Sequence, residues 1–303
     1  MTRDEQLTWE RQAARPASAA AFASAVAGLA SLVVANAGTG GRSSDAVDAL
    51  AIAHKHATGI VAAGVLSAIS ILLVIPVLLF LFRATQYRRP QIPSATRHLV
   101  TIGPPLFAIG LIAQSIALKR AVDRAYEKLP LAPKAAKNLA EDAFTTGAVG
   151  SWSLLLLGVG ILVGGGVILI SLNARRAGLL SAFMGITGAI VGGLVVLPFF
   201  GRPPIIYFFW IAVVGLILVD RLPGQRSRGP AWESGEAEPW PTAAEIRAEQ
   251  LAARGEDPPS RRGRVRDPEP EPEDDYEDEY EEDDVSAPAP HPRSKKRKRK
   301  RRR

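Results

Sequence analysis

The side chains best suited to chemistry sit together before one long apolar run: Asp45, Asp48, His54 and His56, with Lys55 between the two imidazoles. Carboxylates and imidazoles bind divalent metals, and imidazole changes charge nearest neutral pH, so a metal site or a pH sensor is the chemistry this group would do. The spacing works against it, because residues at i and i+2 do not share a helix face. His54 and His56 are metal candidates by residue type alone, and a solvated loop histidine is the competing reading. The chain contains no cysteine, which removes thiolate metal sites, disulfides and thiol catalysis. There is no phosphate-binding lysine loop, dinucleotide glycine fingerprint or nucleophile elbow. Gly164, Gly165 and Gly166 have no lysine partner. No catalytic or cofactor-binding residue is assigned, no cofactor is expected, and the reading leans away from an enzyme.

The elements that would carry these residues are set by charge-free stretches. Between successive Asp, Glu, Lys or Arg residues lie Pro16 to Gly41 (26 residues), His56 to Phe82 (27), His98 to Leu118 (21), Ala143 to Ala174 (32), Ala177 to Gly201 (25) and Pro203 to Val219 (17). A helix needs about 20 mainly apolar residues to cross a hydrocarbon core about 30 Å thick. Stretches such as SWSLLLLGVGILVGGGVILISL lack the polar face that a buried helix of a soluble bundle carries. The fold class expected is all-α, a polytopic transmembrane bundle with six spans at about 17–37, 57–82, 99–118, 148–172, 178–199 and 204–219. Pro104 and Pro105 mark a first turn or a kink in the third span, and Pro76 a kink in the second. Arg3, Arg11 and Arg15 before an Ala-rich run ending in Ala35-Asn36-Ala37 also fit a cleaved leader, which would leave five spans.

Orientation follows from Lys and Arg in short loops. With residues 1–16 inside, the inner loops hold Arg3, Arg11, Arg15, Arg83, Arg88, Arg89, Arg97, Arg175, Arg176, Arg221, Arg226 and Arg228, twelve in all. The outer loops hold nine: Arg42, Lys55, Lys119, Arg120, Arg124, Lys128, Lys134, Lys137 and Arg202. The expected location is the cell membrane with both termini cytoplasmic. On the outer face, SDAVDALAIA (44–53) and AVDRAYEKL (121–129) have helical apolar spacing and predict a small amphipathic cap.

Helices in lipid associate through small residues that let backbones approach. The fifth span offers Ala177, Ser181, Gly185, Ala189 and Gly193 at i, i+4, with Gly188 and Gly192 forming a GxxxG, and the fourth offers Gly160 and Gly164. Packing within one bundle is favoured over a homo-oligomer seam. No Asp, Glu, Lys or Arg lies inside the six runs, which weighs against proton-coupled transport and intramembrane proteolysis. Gln114, Ser115, Ser151, Ser153 and Thr187 are read as interhelical hydrogen-bonding groups.

From residue 220 the composition turns to Pro, Gly, Arg and Glu, and a disordered cytoplasmic tail is expected over 220–303. Thr242 with Glu245 forms a capping box that predicts one short helix at about 243–254. Residues 267–284 hold thirteen acids. The end holds ten bases, Arg293, Lys295, Lys296, Arg297, Lys298, Arg299, Lys300, Arg301, Arg302 and Arg303. These blocks can pair with each other, or the bases can contact anionic lipid headgroups or nucleic acid.

The stretch LNARRAGLLSAFMGITGAIVGGLVVLP, then PIIYFFWIAVVGLILVD and PAWESGEAEPWP, resembles a bacterial family of six-span integral membrane proteins without an assigned activity. The resemblance implies the architecture and carries over no functional residue. The function expected is that of a structural or accessory membrane protein whose charged tail contacts lipid or partners. A channel or carrier for a neutral or apolar small solute is the alternative, and a membrane enzyme with a site under the outer loops is the third reading.

Overall fold

The computed structural model describes residues 2–37, 45–129, 132–196, 205–222, 228–241 and 243–253, and every regular element among them is helical. In chain order these are α1 (Arg3–Ala37), α2 (Ala46–Lys55), α3 (Ala57–Arg88), α4 (Ala95–Tyr126), α5 (Pro133–Thr145), α6 (Gly147–Arg176), α7 (Ala182–Val196), α8 (Ile205–Leu218), α9 (Ala231–Ser234) and α10 (Ala243–Ala253). The chain divides into two units, Met1–Ala243 and Ala244–Arg303. Of the second unit only α10 is described.

Helices α1, α3, α4 and α6 contain 35, 32, 32 and 30 residues, and all four are long and apolar enough to cross a membrane. At about 1.5 Å per residue even the shortest exceeds a hydrocarbon core of about 30 Å. Helices α7 and α8 are apolar but contain 15 and 14 residues. Neighbour follows neighbour in a closed circuit: α1 packs on α3, α3 on α4, α4 on α6, α6 on α7, α7 on α8, and α8 returns to α1. The start of α1, the α3–α4 and α6–α7 turns and the end of α8 gather at one end, here the N-terminal end. Helices α2 and α5 cover the other, the capped end.

Around an apolar core that includes Trp210, Leu78, Leu81 and Ile170, much of the outer surface is apolar as well. Val26, Val33, Ile109, Leu154, Phe183 and Ile205 are exposed, while Ser18, Ser24, Ser31, Ser70 and Ser171 are buried. An apolar circumference of this extent marks a surface made for lipid or a partner. Inside it, hydroxyls on α1 bond to neighbouring helices. Ser18 Oγ donates to the Gly215 carbonyl at 2.8 Å, Ser24 to the Ser70 carbonyl at 2.8 Å, and Ser31 to the Ala63 carbonyl at 2.9 Å. Tyr207 on α8 faces the Ser24 and Ser70 pair. Each bond satisfies a polar group where no water is available.

Helices α6 and α7 touch backbone to backbone. A Cβ on Gly192 would lie 2.6 Å from the Gly164 carbonyl oxygen, and one on Gly160 would lie 3.1 Å from that of Val195. The turn between them is a Schellman motif: Leu179 N donates to Ala174 O (2.9 Å), Gly178 N to Arg175 O (3.0 Å), and Gly178 has φ +77°. Asp220 takes the same left-handed position after α8, at φ 56°.

Four expectations differ from this arrangement. Pro104 and Pro105 lie inside α4, which begins at Ala95, so of the two readings offered for them they do not mark its first turn. Residues 121–126 form the last turns of that same helix, because nothing between Leu118 and Tyr126 stops it. Ser181 is not a rung of the fifth-span ladder: its Oγ accepts from Met184 N (3.3 Å) at the start of α7. Residues 228–235, inside the stretch read as structureless from 220, pack on the bundle, with Gly229, Ala231, Trp232 and Gly235 buried. Two tryptophans, Trp232 and Trp240, make that stretch more apolar than its average composition.

Candidate functional site

At the N-terminal end one arginine organises the site. Arg88, the last residue of α3, has five N–H donors in a planar fork. Nε and Nη2 donate to the Ala231 carbonyl at 3.0 and 2.8 Å, Nη1 and Nη2 to the two Glu10 oxygens at 2.5 and 3.0 Å, and Nη1 also to the Ala84 carbonyl at 3.1 Å. Every donor has an acceptor, and Gln6 Nε2 on α1 donates to Glu10 Oε1 at 2.8 Å. Both charges are buried, with side-chain exposures of 0% and 5%. Such a pair contributes little net stability, but removing one member strands the other. Its consequence is geometric: α1, α3 and the segment after α8 are held by one guanidinium.

Trp232 closes the arrangement. Its Nε1 donates to the Leu179 carbonyl in the α6–α7 turn at 2.9 Å, and its ring lies 6.0 Å from Phe80, which lies 5.3 Å from Trp9. Arg88 and Arg228 stand over Trp232 at 5.9 and 5.4 Å, and Arg83 over Trp9 at 4.1 Å. Cations thus flank both ends of an aromatic row. Arg228 Nε also donates to the Ile217 carbonyl at 3.0 Å and Nη2 to that of Leu218, satisfying the end of α8. Gly178 admits this segment, because a Cβ there would collide with the Glu238 carbonyl. Residues 228–235 are a clasp, and the sequence reading missed it. The legible signal was tryptophan inside a Pro- and Glu-rich stretch.

At the capped end α2, α5 and the last turns of α4 share a small core of Leu50, Ala53, Val122, Ala125, Ala140 and Ala143. His54 Nδ1 lies 3.0 Å from Asp123 Oδ1, Lys119 Nζ lies 2.6 Å from Asp123 Oδ2, and the His54 ring stacks on Tyr126 at 4.1 Å. The Lys119 hydrogen bond, seconded by that of His54, holds the Asp123 carboxyl below its ordinary 3.8, against a smaller opposing effect of burial. His56 takes no part and sits at the α2–α3 junction, without a side-chain bond to the helix end. Among the described residues no group of three His, Cys, Asp or Glu could hold a metal. Asp45 accepts from Val47 N at 3.0 Å as the N-cap of α2.

Of the packing residues, Gly160, Gly164, Gly185, Gly188 and Gly192 lie in close contact with neighbouring elements, whereas a Cβ on Gly193 would meet nothing within 4 Å. Ala189 is half-buried. The packed face of α7 is therefore Gly185, Gly188 and Gly192, turned from the i, i+4 ladder. Gln114 Nε2 donates to Ser153 Oγ at 2.8 Å. The bases from Arg293 to Arg303 and the acids of 267–284 lie outside the described residues.

Three of the cavities lined by described residues accompany these elements. One of about 630 Å³ lies between α4, α5 and α6 and is lined in part by Arg120, Arg124, Lys128 and Asp142. One of about 310 Å³ lies under the cap between α1, α3 and α4, with Ser31, Ser67 and Gln114 on an otherwise largely apolar wall. The third, about 540 Å³, opens at the N-terminal end between α1 and α3. The four residues Asp45, Asp48, His54 and His56 line none of these three.

The chain matches no protein-family model, no curated protein and no solved structure.

Proposed function

We propose that this chain is a six-span protein of the cell membrane that acts as a structural or accessory anchor, presenting a long charged tail at the cytoplasmic face. The observation that carries this reading is the clasp: Arg88 bonds Ala231 and Glu10 together, so the root of the tail is fastened to the first and second spans. Four helices of spanning length and an apolar circumference support residence in lipid. The charge-free runs around α7 and α8, 25 and 17 residues, supply the remaining two crossings. Helix α1 is a working part of the bundle, because its Glu10 answers a buried arginine, and this favours six spans over five. The greater number of bases at the N-terminal end favours a cytoplasmic position for it.

The test has two arms. Full-length protein should resist alkaline carbonate extraction, and a chain lacking Arg293 to Arg303 should insert equally well but lose its contacts with anionic lipid or other polyanions, read as altered lateral distribution. Unchanged distribution after that deletion removes the tail from the function. A second reading, a carrier for a neutral or apolar small solute, is favoured by the 310 Å³ cavity under the cap. Purified protein in vesicles that leaves the flux of a broad neutral-solute panel unchanged would remove it.

A further inference from the structure

The cavity of about 630 Å³ between α4, α5 and α6 is charged at one level and apolar at the next. Arg120, Arg124 and Lys128 line it from α4 at i, i+4 spacing, which puts them in one stripe about 12 Å long. All three are exposed, and none forms an ion pair among the described residues. Asp142 is the one carboxylate in the lining, while the nearby Asp123 is paired with Lys119 and His54, and Glu141 with Lys137. The start of α6 adds to this charge. Gln114 on α4 donates to Ser153 on α6, and these helices run in opposite directions. Arg120 lies six residues after Gln114, and Gly147, the first residue of α6, lies six before Ser153, so equal rise carries both to the same level. Thr146, at the N-cap of α6, makes no side-chain bond to the helix, because its Oγ1 donates to the Asp142 carbonyl at 2.8 Å. The uncapped positive end of α6 thus stands beside the bases, with Thr146, Gly147 and Ala148 in the lining. Below this level the wall is apolar, built from Ala113, Ile116 and Ala117 on α4 and Val149 and Trp152 on α6. Ala113 lies seven residues before Arg120, about 10 Å deeper along the helix.

We propose that this groove seats one anionic phospholipid of the leaflet at the capped end, with its phosphate between Arg120, Arg124 and the start of α6 and an acyl chain against Ile116, Ala117 and Trp152. Charge decides the headgroup. Three bases against one acid leave the lining positive, which matches a net negative headgroup better than a zwitterionic one, as in other basic pockets between membrane helices. Like charges at i, i+4 repel, and a phosphate seated among them relieves that repulsion. The apolar lower half decides between lipid and free anion, because only an amphiphile covers both levels at once. The site rests on the bundle crossing a membrane, as proposed above, and on neither the tail nor the orientation.

The experiment titrates purified full-length protein in a neutral detergent with phosphatidylglycerol and reads bound lipid by native mass spectrometry. One retained lipid is expected, both in the wild type and in a chain whose ten terminal bases are replaced by Gln. In the double variant Arg120→Gln, Arg124→Gln its apparent affinity should fall at least tenfold, since each base near the surface contributes roughly a fivefold effect. The double variant Lys134→Gln, Lys137→Gln removes the same charge from α5 outside the lining and should leave the affinity unchanged. Ala117→Trp fills the apolar half with all three bases present and should lose the lipid. Wild-type affinity in the Arg120, Arg124 variant or in Ala117→Trp overturns the proposal, as does an equal fall in the Lys134, Lys137 variant or loss of the lipid in the tail variant. Equal affinity for phosphatidylcholine overturns the choice of headgroup and the proposal with it. Displacement by inorganic phosphate overturns it in favour of a free-phosphate site. Carbonate extraction separates failure of this site from failure of the membrane reading itself.

Discussion

Arg88 is the residue on which the N-terminal end turns, because its five donors meet acceptors on three different segments. Arg88→Ala would strand the buried Glu10 carboxylate and should destabilise the bundle by about 3–5 kcal/mol, read as a lower unfolding midpoint in detergent. Arg88→Lys should recover little of it, since a three-donor ammonium cannot reproduce the fork. The double variant Glu10→Leu, Arg88→Met should return most of the stability while leaving the Ala231 carbonyl without its donor. Faster amide hydrogen exchange over 229–235 in that variant would separate fastening from stability, and unchanged exchange would show that Trp232 alone secures the segment. Asp123 makes a different prediction. Its carboxyl is depressed in the folded state, so its contribution is present above the ordinary 3.8 and is lost only as pH falls through the lower folded value. Asp123 therefore stays ionised between about pH 5 and 8, and Asp123→Asn should weaken the cap in that range, read as faster amide hydrogen exchange in α2 and α5, with unchanged exchange counting against it.

At the scale of elements, contact between α6 and α7 depends on which glycines face inward. Gly164→Val and Gly192→Ala should force the two backbones apart, because the added carbon meets a carbonyl oxygen of the facing helix. Loss of folded yield and a lowered melting midpoint are expected. Gly158, Gly165 and Gly193 have no atom within 4 Å of a Cβ position, so alanine there should be neutral or stabilise by about 0.5–1 kcal/mol through lower backbone entropy in the unfolded chain. Equal damage from both sets would mean that glycine acts through flexibility, not close approach. The cap is likewise an element-level feature. Pro133 stands at the first position of α5, where a missing N–H costs nothing. Pro133 is therefore a helix start in this fold.

For the whole molecule, the absence of cysteine makes topology measurable with single introduced thiols. Ser94→Cys, in the α3–α4 turn, should react with a membrane-impermeant maleimide only from the cytoplasmic side, and Glu127→Cys, after α4, only from the outside. The reverse labelling would invert the orientation and place the Arg88 clasp on the outer face. Labelling of both from one side would show that α4 does not cross.

Length and charge were sufficient for the helical class and for the four long apolar helices, because an uncharged run of more than about 20 residues has few other solutions. The charge-free runs at 177–201 and 203–219 overlap α7 and α8, and Gly160, Gly164, Gly188 and Gly192 each lie in close contact with a neighbouring helix. Which side of α7 packs, and that Gly193 faces open space, depended on the angle at which α6 meets it, which no single-helix pattern encodes. The pairing of Glu10 with Arg88 spans 78 positions in sequence, and His54 with Asp123 spans 69. In the sequence each charge reads as a solvated loop or end residue, because nothing local tells a flanking arginine that caps a membrane from one that fastens a distant segment. Only the closed circuit of helices brings the end of α3, the start of α1 and the stretch after α8 to one point, and with them the buried ion pair.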